Sequence, residues 1–192
     1  MATAIITALG LLLGLVPPAA AEQQRPGPPT VAADVVAALG QRDRFRRFVQ
    51  ALEVAGLAEA LRGAGPFTVF APTDEAFARL PPGTVRRLLE RQNRARLGAL
   101  VRHHIVAGAA LPSAALPERL EPMAGGPIAV SLVGGRVVLR PAEGRQGAGQ
   151  APEDGRARVV AGDIAAGNGV IHAVDAVLVP QAVQPVLQPG RR

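Results

Sequence analysis

The order of patterned segments predicts an α+β domain. Three observations carry that prediction. Apolar residues recur at helical spacing before Gly63 and again between Thr84 and His104. One β-branched and aromatic run, Phe67-Thr68-Val69-Phe70, lies between those helical regions. After Pro127 the pattern becomes an alternation split by Gly134-Gly135, a strong two-residue hairpin signal. Strands and helices do not alternate along the chain, which argues against a strand–helix–strand series.

The central stretch is Phe67–Leu80. Its strand should stop at Ala71, because Pro72 has no N–H to give a ladder. Thr73 is placed to cap the following helix with its hydroxyl. Asp74 and Glu75 put negative charge in the first helical turn. Ala76, Phe77 and Leu80 then recur at helical spacing and should face inward.

From the N-terminus, Ile5–Val16 is apolar and shorter than the roughly 20 residues of a spanning helix. The small residues Ala19-Ala20-Ala21 follow, so residues 1–21 read as a signal peptide, with an uncleaved anchor as the alternative. Residues 22–29 read as a Pro-rich linker, 30–180 as the domain and 181–192 as a disordered tail. Thr30 can cap a helix over Val31–Leu39, ended by Gly40. Asp43 can cap the next, with Phe45, Phe48, Val49 and Leu52 on its apolar face. A short helix over Leu57–Arg62 is closed by Gly63. Beyond the central stretch, Thr84 can cap a helix through Glu90, and Asn93 another through His103. Leu97, Leu100, Val101 and His104 share one face of the latter.

Residues 116–123 read as irregular. Ile128–Val133 and Arg136–Arg140 form the hairpin, with Ile128, Val130 and Leu132 on its buried side. Residues 141–156 are a Gly-rich polar insert. Arg158–Ile164 is a strand. Asn168-Gly169 is a turn suited to positive φ, and Val170–Val179 is a last, long strand ended by Pro180. The period leaves open which side His172 and Asp175 face.

Composition narrows the function. The 192 residues carry a net charge of +6, every basic residue is Arg, and Cys, Trp and Tyr are absent. Thiol catalysis and Cys metal sites are thereby removed, and export without disulfides fits. A basic surface favours anionic partners. Nucleic-acid binding by base stacking lacks its aromatic platforms. The serines are Ser113 and Ser131, neither in a nucleophile-elbow motif. His103, His104 and His172 do not suggest a metal site, because adjacent helical side chains diverge by about 100°. Arg86, Arg87, Arg91, Arg94, Arg96 and Arg102 have only Glu90 to offset them. They read either as a solvated helix face or as a patch for anionic glycan or lipid.

Three stretches then resemble one family. Thr68–Phe77 resembles the first signature motif of fasciclin domains, and Leu100–Val106 their central motif, with His103 where Tyr is usual. Asp163-Ile164 with Asn168–Pro180 resembles the second signature motif. The resemblance spans Thr30 to Pro180 and implies a small seven-stranded β-wedge or sandwich packed with several helices. It implies a secreted or periplasmic, non-enzymatic protein without cofactor. Such proteins act in adhesion or in binding matrix, partner proteins or polysaccharide; a carrier of an apolar molecule such as a carotenoid is the alternative. Thr68, Phe70, Pro72, His104, Asp163, Asn168, Gly169 and His172 are then structural motif residues. Thr73, Asp74 and Glu75, with Arg86, Arg87, Arg91 and Arg94, are the candidate contacts for partners. Because the first and central motifs lie together in the family, Asp74 or Thr73 is the expected partner of His104.

Overall fold

The computed structural model describes residues 33–142, 156–180 and 183. The expected signal peptide and linker, most of the insert and most of the tail lie outside the described residues. Val183 is described, and it is buried in the core beyond the Pro180 at which the domain was expected to end.

The strands are β1 (Phe67–Pro72), β2 (Ile105–Ala107), β3 (Arg119–Leu120), β4 (Ile128–Val133), β5 (Arg136–Pro141), β6 (Ala157–Ala166) and β7 (Gly169–Val174). They form one seven-stranded sheet in the order β2-β1-β7-β6-β5-β4-β3. β1 and β7 run parallel, and every other neighbouring pair is antiparallel. After β3 the chain returns to the far edge, where the Met123 N–H donates to the Ile105 carbonyl of β2 at 2.8 Å. The sheet is therefore nearly barrel-like, and its β2 edge is covered.

The helices are α1 (Val35–Gly40), α2 (Arg46–Ala55), α3 (Ala58–Arg62), α4 (Asp74–Ala78), α5 (Thr84–Leu89) and α6 (Arg94–His103). Phe45, Phe48 and Leu52 meet Leu97, Leu100 and Ile171 in a core between helices and sheet. Phe70, Ile128, Leu139, Val174 and Leu178 form a second core within the curved sheet. β1 lies between the two. Val69 and Ala71 point to the first core and Phe70 to the second. That is why this strand reads as a continuous apolar run and not as an alternation.

Several sequence expectations change. α1 starts at Val35, four residues later than expected, because Asp34 caps it by accepting from the Ala37 N–H at 2.8 Å. Asp43 opens a 3-10 turn instead of capping α2. Gly83 is the N-cap of α5, and the expected cap Thr84 is buried inside it. Asn93 stands at the α6 N-cap without a side-chain capping bond; its amide donates to the Arg87 carbonyl at 2.7 Å. β1 runs one residue further than expected, with Pro72 opposite Val174. β7 stops at Val174, because the Arg158 N–H donates to the Asp175 side-chain oxygen at 2.7 Å and not to its carbonyl. Leu132 lies on the inward side of β4 but at its free end, and is 74 % exposed. Gly134 and Gly135 take φ of 58° and 74°, as a type I′ turn requires. Asn168 and Gly169 do not take positive φ. A Cβ at Gly169 would lie 2.2 Å from the Phe67 carbonyl oxygen, so close backbone approach, and not dihedral freedom, selects glycine there.

Candidate functional site

The motif residues converge around β1 and β7, and each secures a different piece of the chain. The Thr68 hydroxyl donates to the Ala109 carbonyl at 2.8 Å and accepts from the Leu111 N–H at 2.9 Å. That fixes the loop after β2. Phe70 stacks on the His172 ring with centroids 5.4 Å apart. Thr73 caps α4 by accepting from the Ala76 N–H at 3.3 Å. The Glu75 carboxyl, exposed in the first turn, is held below its ordinary range by its own backbone N–H and then by the Thr73 hydroxyl.

Asp74 does not reach His104. It accepts from the backbone N–H of Arg47 at 2.9 Å, in the first turn of α2. α2 has no capping side chain of its own. Asp74 therefore supplies from α4 the acceptor that its N-terminal N–H groups need.

His104 is fully buried at the end of α6. One ring nitrogen, Nδ1, pairs with the Leu100 carbonyl at 2.8 Å. The other, Nε2, accepts from the Leu178 N–H at 2.9 Å. An N–H donor at Nε2 and a carbonyl at Nδ1 require the neutral tautomer protonated on Nδ1. Burial agrees, pushing its pKa down to about 3. The expected partners Asp74 and Thr73 are replaced by backbone groups, because Asp74 is committed to α2.

His103 is also buried. Its Nδ1 pairs with the Ala124 carbonyl at 2.9 Å, while its Nε2 has no partner among the described residues. Burial lowers its pKa as well.

The second motif has the same character. A bulge between Ala161 and Ile164 interrupts the β6–β7 ladder. At its centre Asp163 takes a φ of 57°. The His172 ring fills the gap: Nδ1 accepts from the Asp163 N–H at 3.3 Å, and Nε2 donates to the Leu111 carbonyl at 2.8 Å. This settles the side on which His172 lies, which the alternation left open. The freed Asp163 carboxylate accepts from the Ser113 N–H and hydroxyl at 2.6 and 2.5 Å. Those bonds hold Asp163 below its ordinary pKa.

Ser113, Asp163 and His172 thus lie together, but not as a catalytic relay. The acceptor nitrogen of His172 takes a backbone N–H and cannot also serve Ser113 as a base.

Asn168 secures the helices. Its amide nitrogen donates to the Leu61 and Gly63 carbonyls at 2.7 and 2.8 Å, and its oxygen accepts from the Val35 N–H at 2.9 Å. One side chain thereby joins the β6–β7 turn to α1 and α3.

A model of the fasciclin domain matches residues 43–180, more than half of the chain. The chain belongs to the fasciclin domain family. It is 34 % identical over 146 residues to the Synechocystis protein sll1483, covering 76 % of this chain and 73 % of that protein. It is 38 % identical over 140 residues to the Synechocystis protein sll1735, covering 71 % and 90 %. It also superposes on a FAS1 domain pair from the insect cell adhesion molecule fasciclin I, with a TM-score of 0.64 at 15 % identity. That match covers 81 % of this chain and 53 % of the other, and it shows the fold alone.

In this fasciclin domain the candidate basic contacts lie on α5, α6 and the turn between them. Arg86, Arg91 and Arg94 are exposed and make no ion pair among the described residues. Arg87 and Arg96 are engaged, donating to the Thr84 hydroxyl and the Asn93 side-chain oxygen at 3.2 and 3.1 Å. Among the described residues no group of His, Cys, Asp or Glu is arranged to hold a metal ion, and no helix is long and apolar enough to cross a membrane. A cleft of about 200 Å³ between α1 and α2 is bordered by Leu39, Arg42, Arg46, Val49 and Glu53. It is smaller than the roughly 300–1,000 Å³ of ordinary small-molecule sites.

Proposed function

We propose that this fasciclin domain is an exported, non-enzymatic binding module that acts in adhesion, in the periplasm or after secretion. It uses the arginines of α5 and α6 to hold an anionic polysaccharide or an acidic protein surface. The observation that carries this reading is the contrast in commitment among polar groups. Thr68, Thr73, Asp74, His104, Asp163, Asn168 and His172 are all engaged in internal hydrogen bonds. Arg86, Arg91 and Arg94 are exposed and unpaired among the described residues. The apolar segment at residues 5–16 and the absence of cysteine support export.

The test is retention of the purified chain on an immobilised sulfated dextran across a salt series. Retention at low salt should weaken as the screening length falls to about 8 Å near physiological ionic strength. The Arg86→Gln/Arg91→Gln/Arg94→Gln variant should elute earlier with unchanged melting. Unchanged retention of that variant would overturn the assignment.

A further inference from the structure

A second cationic surface lies on the sheet, apart from α5 and α6. Along β4, β5 and β6 the residues Ile128, Leu139 and Ala157 point into the inner core. The two-residue period then sets Ala129, Ser131 and Val133 of β4, Arg136, Val138 and Arg140 of β5, and Arg158 of β6 on the opposite, outer face. The strand register joins them into one grid: Ala129 opposes Arg140, Val133 opposes Arg136 and Val138 opposes Arg158. Strands about 4.8 Å apart place Arg158 diagonally beside both Arg136 and Arg140.

Arg136, Arg140 and Arg158 are exposed, and none makes a side-chain hydrogen bond or ion pair among the described residues. Two of the carboxylates described near this face are engaged elsewhere. Glu121 pairs with Arg119 of β3, and Asp175 accepts the backbone N–H of Arg158.

The same region holds the most exposed aliphatic side chains among the described residues. Leu132 and Val133, at the end of the β4–β5 hairpin, are 74 % and 60 % exposed, and Val160 of β6 is 56 % exposed. The register between β5 and β6 covers Val138 and Leu139 only, so the hairpin end projects beyond its neighbour.

Charge alone fits any polyanion. A soluble polyanion, however, gives Leu132 and Val133 nothing to bury against. A bilayer with anionic headgroups accounts for both features: phosphates accept from guanidinium forks, and short aliphatic side chains enter the boundary between headgroups and acyl chains.

We propose that the end of the β4–β5 hairpin, together with the outer face behind it, docks on an anionic lipid bilayer, with Leu132 and Val133 entering its surface from the two sides of the hairpin end and Arg136, Arg140 and Arg158 on its phosphates. This surface shares no residue with the α5–α6 patch, so either assignment can fail without the other.

The test is co-sedimentation of the full chain with vesicles of phosphatidylcholine alone or with about one-third phosphatidylglycerol. Binding is expected to the anionic vesicles only, and to fall with salt. Each arginine near the surface contributes about fivefold, so Arg136→Gln/Arg140→Gln/Arg158→Gln should weaken binding about a hundredfold. Leu132→Ser/Val133→Ser should weaken it about tenfold. Arg86→Gln/Arg91→Gln/Arg94→Gln should leave it unchanged. Melting curves identify any variant that fails to fold; the salt series and the single Leu132→Ser variant then carry the test. Absence of binding to anionic vesicles would overturn the proposal. So would binding that tracks the α5–α6 arginines, or binding indifferent to Leu132→Ser/Val133→Ser, the outcome a purely polyanion-binding face would give.

Discussion

The region around β1 and β7 and the outer face of β4–β6 treat polar groups in opposite ways. Around β1 and β7 the polar side chains of the motifs are mostly buried and bonded to backbone. His104 serves Leu100 and Leu178, Asp74 serves α2, and Asn168 serves α1 and α3. On the outer sheet face, the guanidinium groups of Arg136, Arg140 and Arg158 and the side chain of Val133 stand exposed, the guanidinium groups without partners among the described residues. A buried polar group left unpaired costs about 1–3 kcal/mol, so the first region is under strong structural constraint. The second carries no such constraint and is free to serve recognition. In this fold, the residues that identify the family are a guide to architecture before they are a guide to contact.

The sharpest break of that contrast is at Gly169. Gly169→Ala sets a Cβ against the Phe67 carbonyl and should part β1 from β7, costing about 4 kcal/mol or more. Loss of soluble folded protein, read by circular dichroism, is the expected result.

Next is Asn168→Ala, which leaves the Val35 N–H and the Leu61 and Gly63 carbonyls without this partner. It should cost about 3 kcal/mol in urea unfolding, with α1 and α3 exchanging amide hydrogens fastest.

The third effect is on pH dependence. The unfolded His104 takes up a proton near its ordinary pKa of 6.5, while the folded one resists until about 3. Between those values the unfolded state binds more protons, so stability falls as pH falls, by up to about 1.4 kcal/mol per pH unit for this residue. His104→Gln should flatten the slope by one proton's worth. His103, lowered in the same direction, should keep part of it. An unchanged slope in the variant would remove His104 from this role.

Local chemistry was readable in the sequence. Thr73 as a cap and Gly134-Gly135 as a turn depend on residues within four positions, and both stand as expected. The α+β class and the seven-stranded sheet were likewise legible, the latter through the fasciclin motifs. Partner choice over distance was not. His104 bonds to Leu178 and Asp74 to Arg47, and no periodicity encodes which backbone group folding will bring to a side chain. β2 and β3, three and two residues long, are too short to show an alternation. The exposure of Leu132 was hidden for a related reason. Alternation tells which way a side chain points, but not whether the sheet extends far enough to cover it.

The central claim, that motif residues build the domain while surface arginines make its contacts, is tested most directly by one paired measurement. Polyanion retention per folded molecule is compared with unfolding free energy for Asp74→Ala and for Arg86→Gln/Arg91→Gln/Arg94→Gln. Asp74→Ala should lose about 1 kcal/mol of stability, the value of a helix cap, and keep its retention. The triple variant should keep its stability and lose retention. Retention lost in Asp74→Ala at unchanged stability would contradict the account.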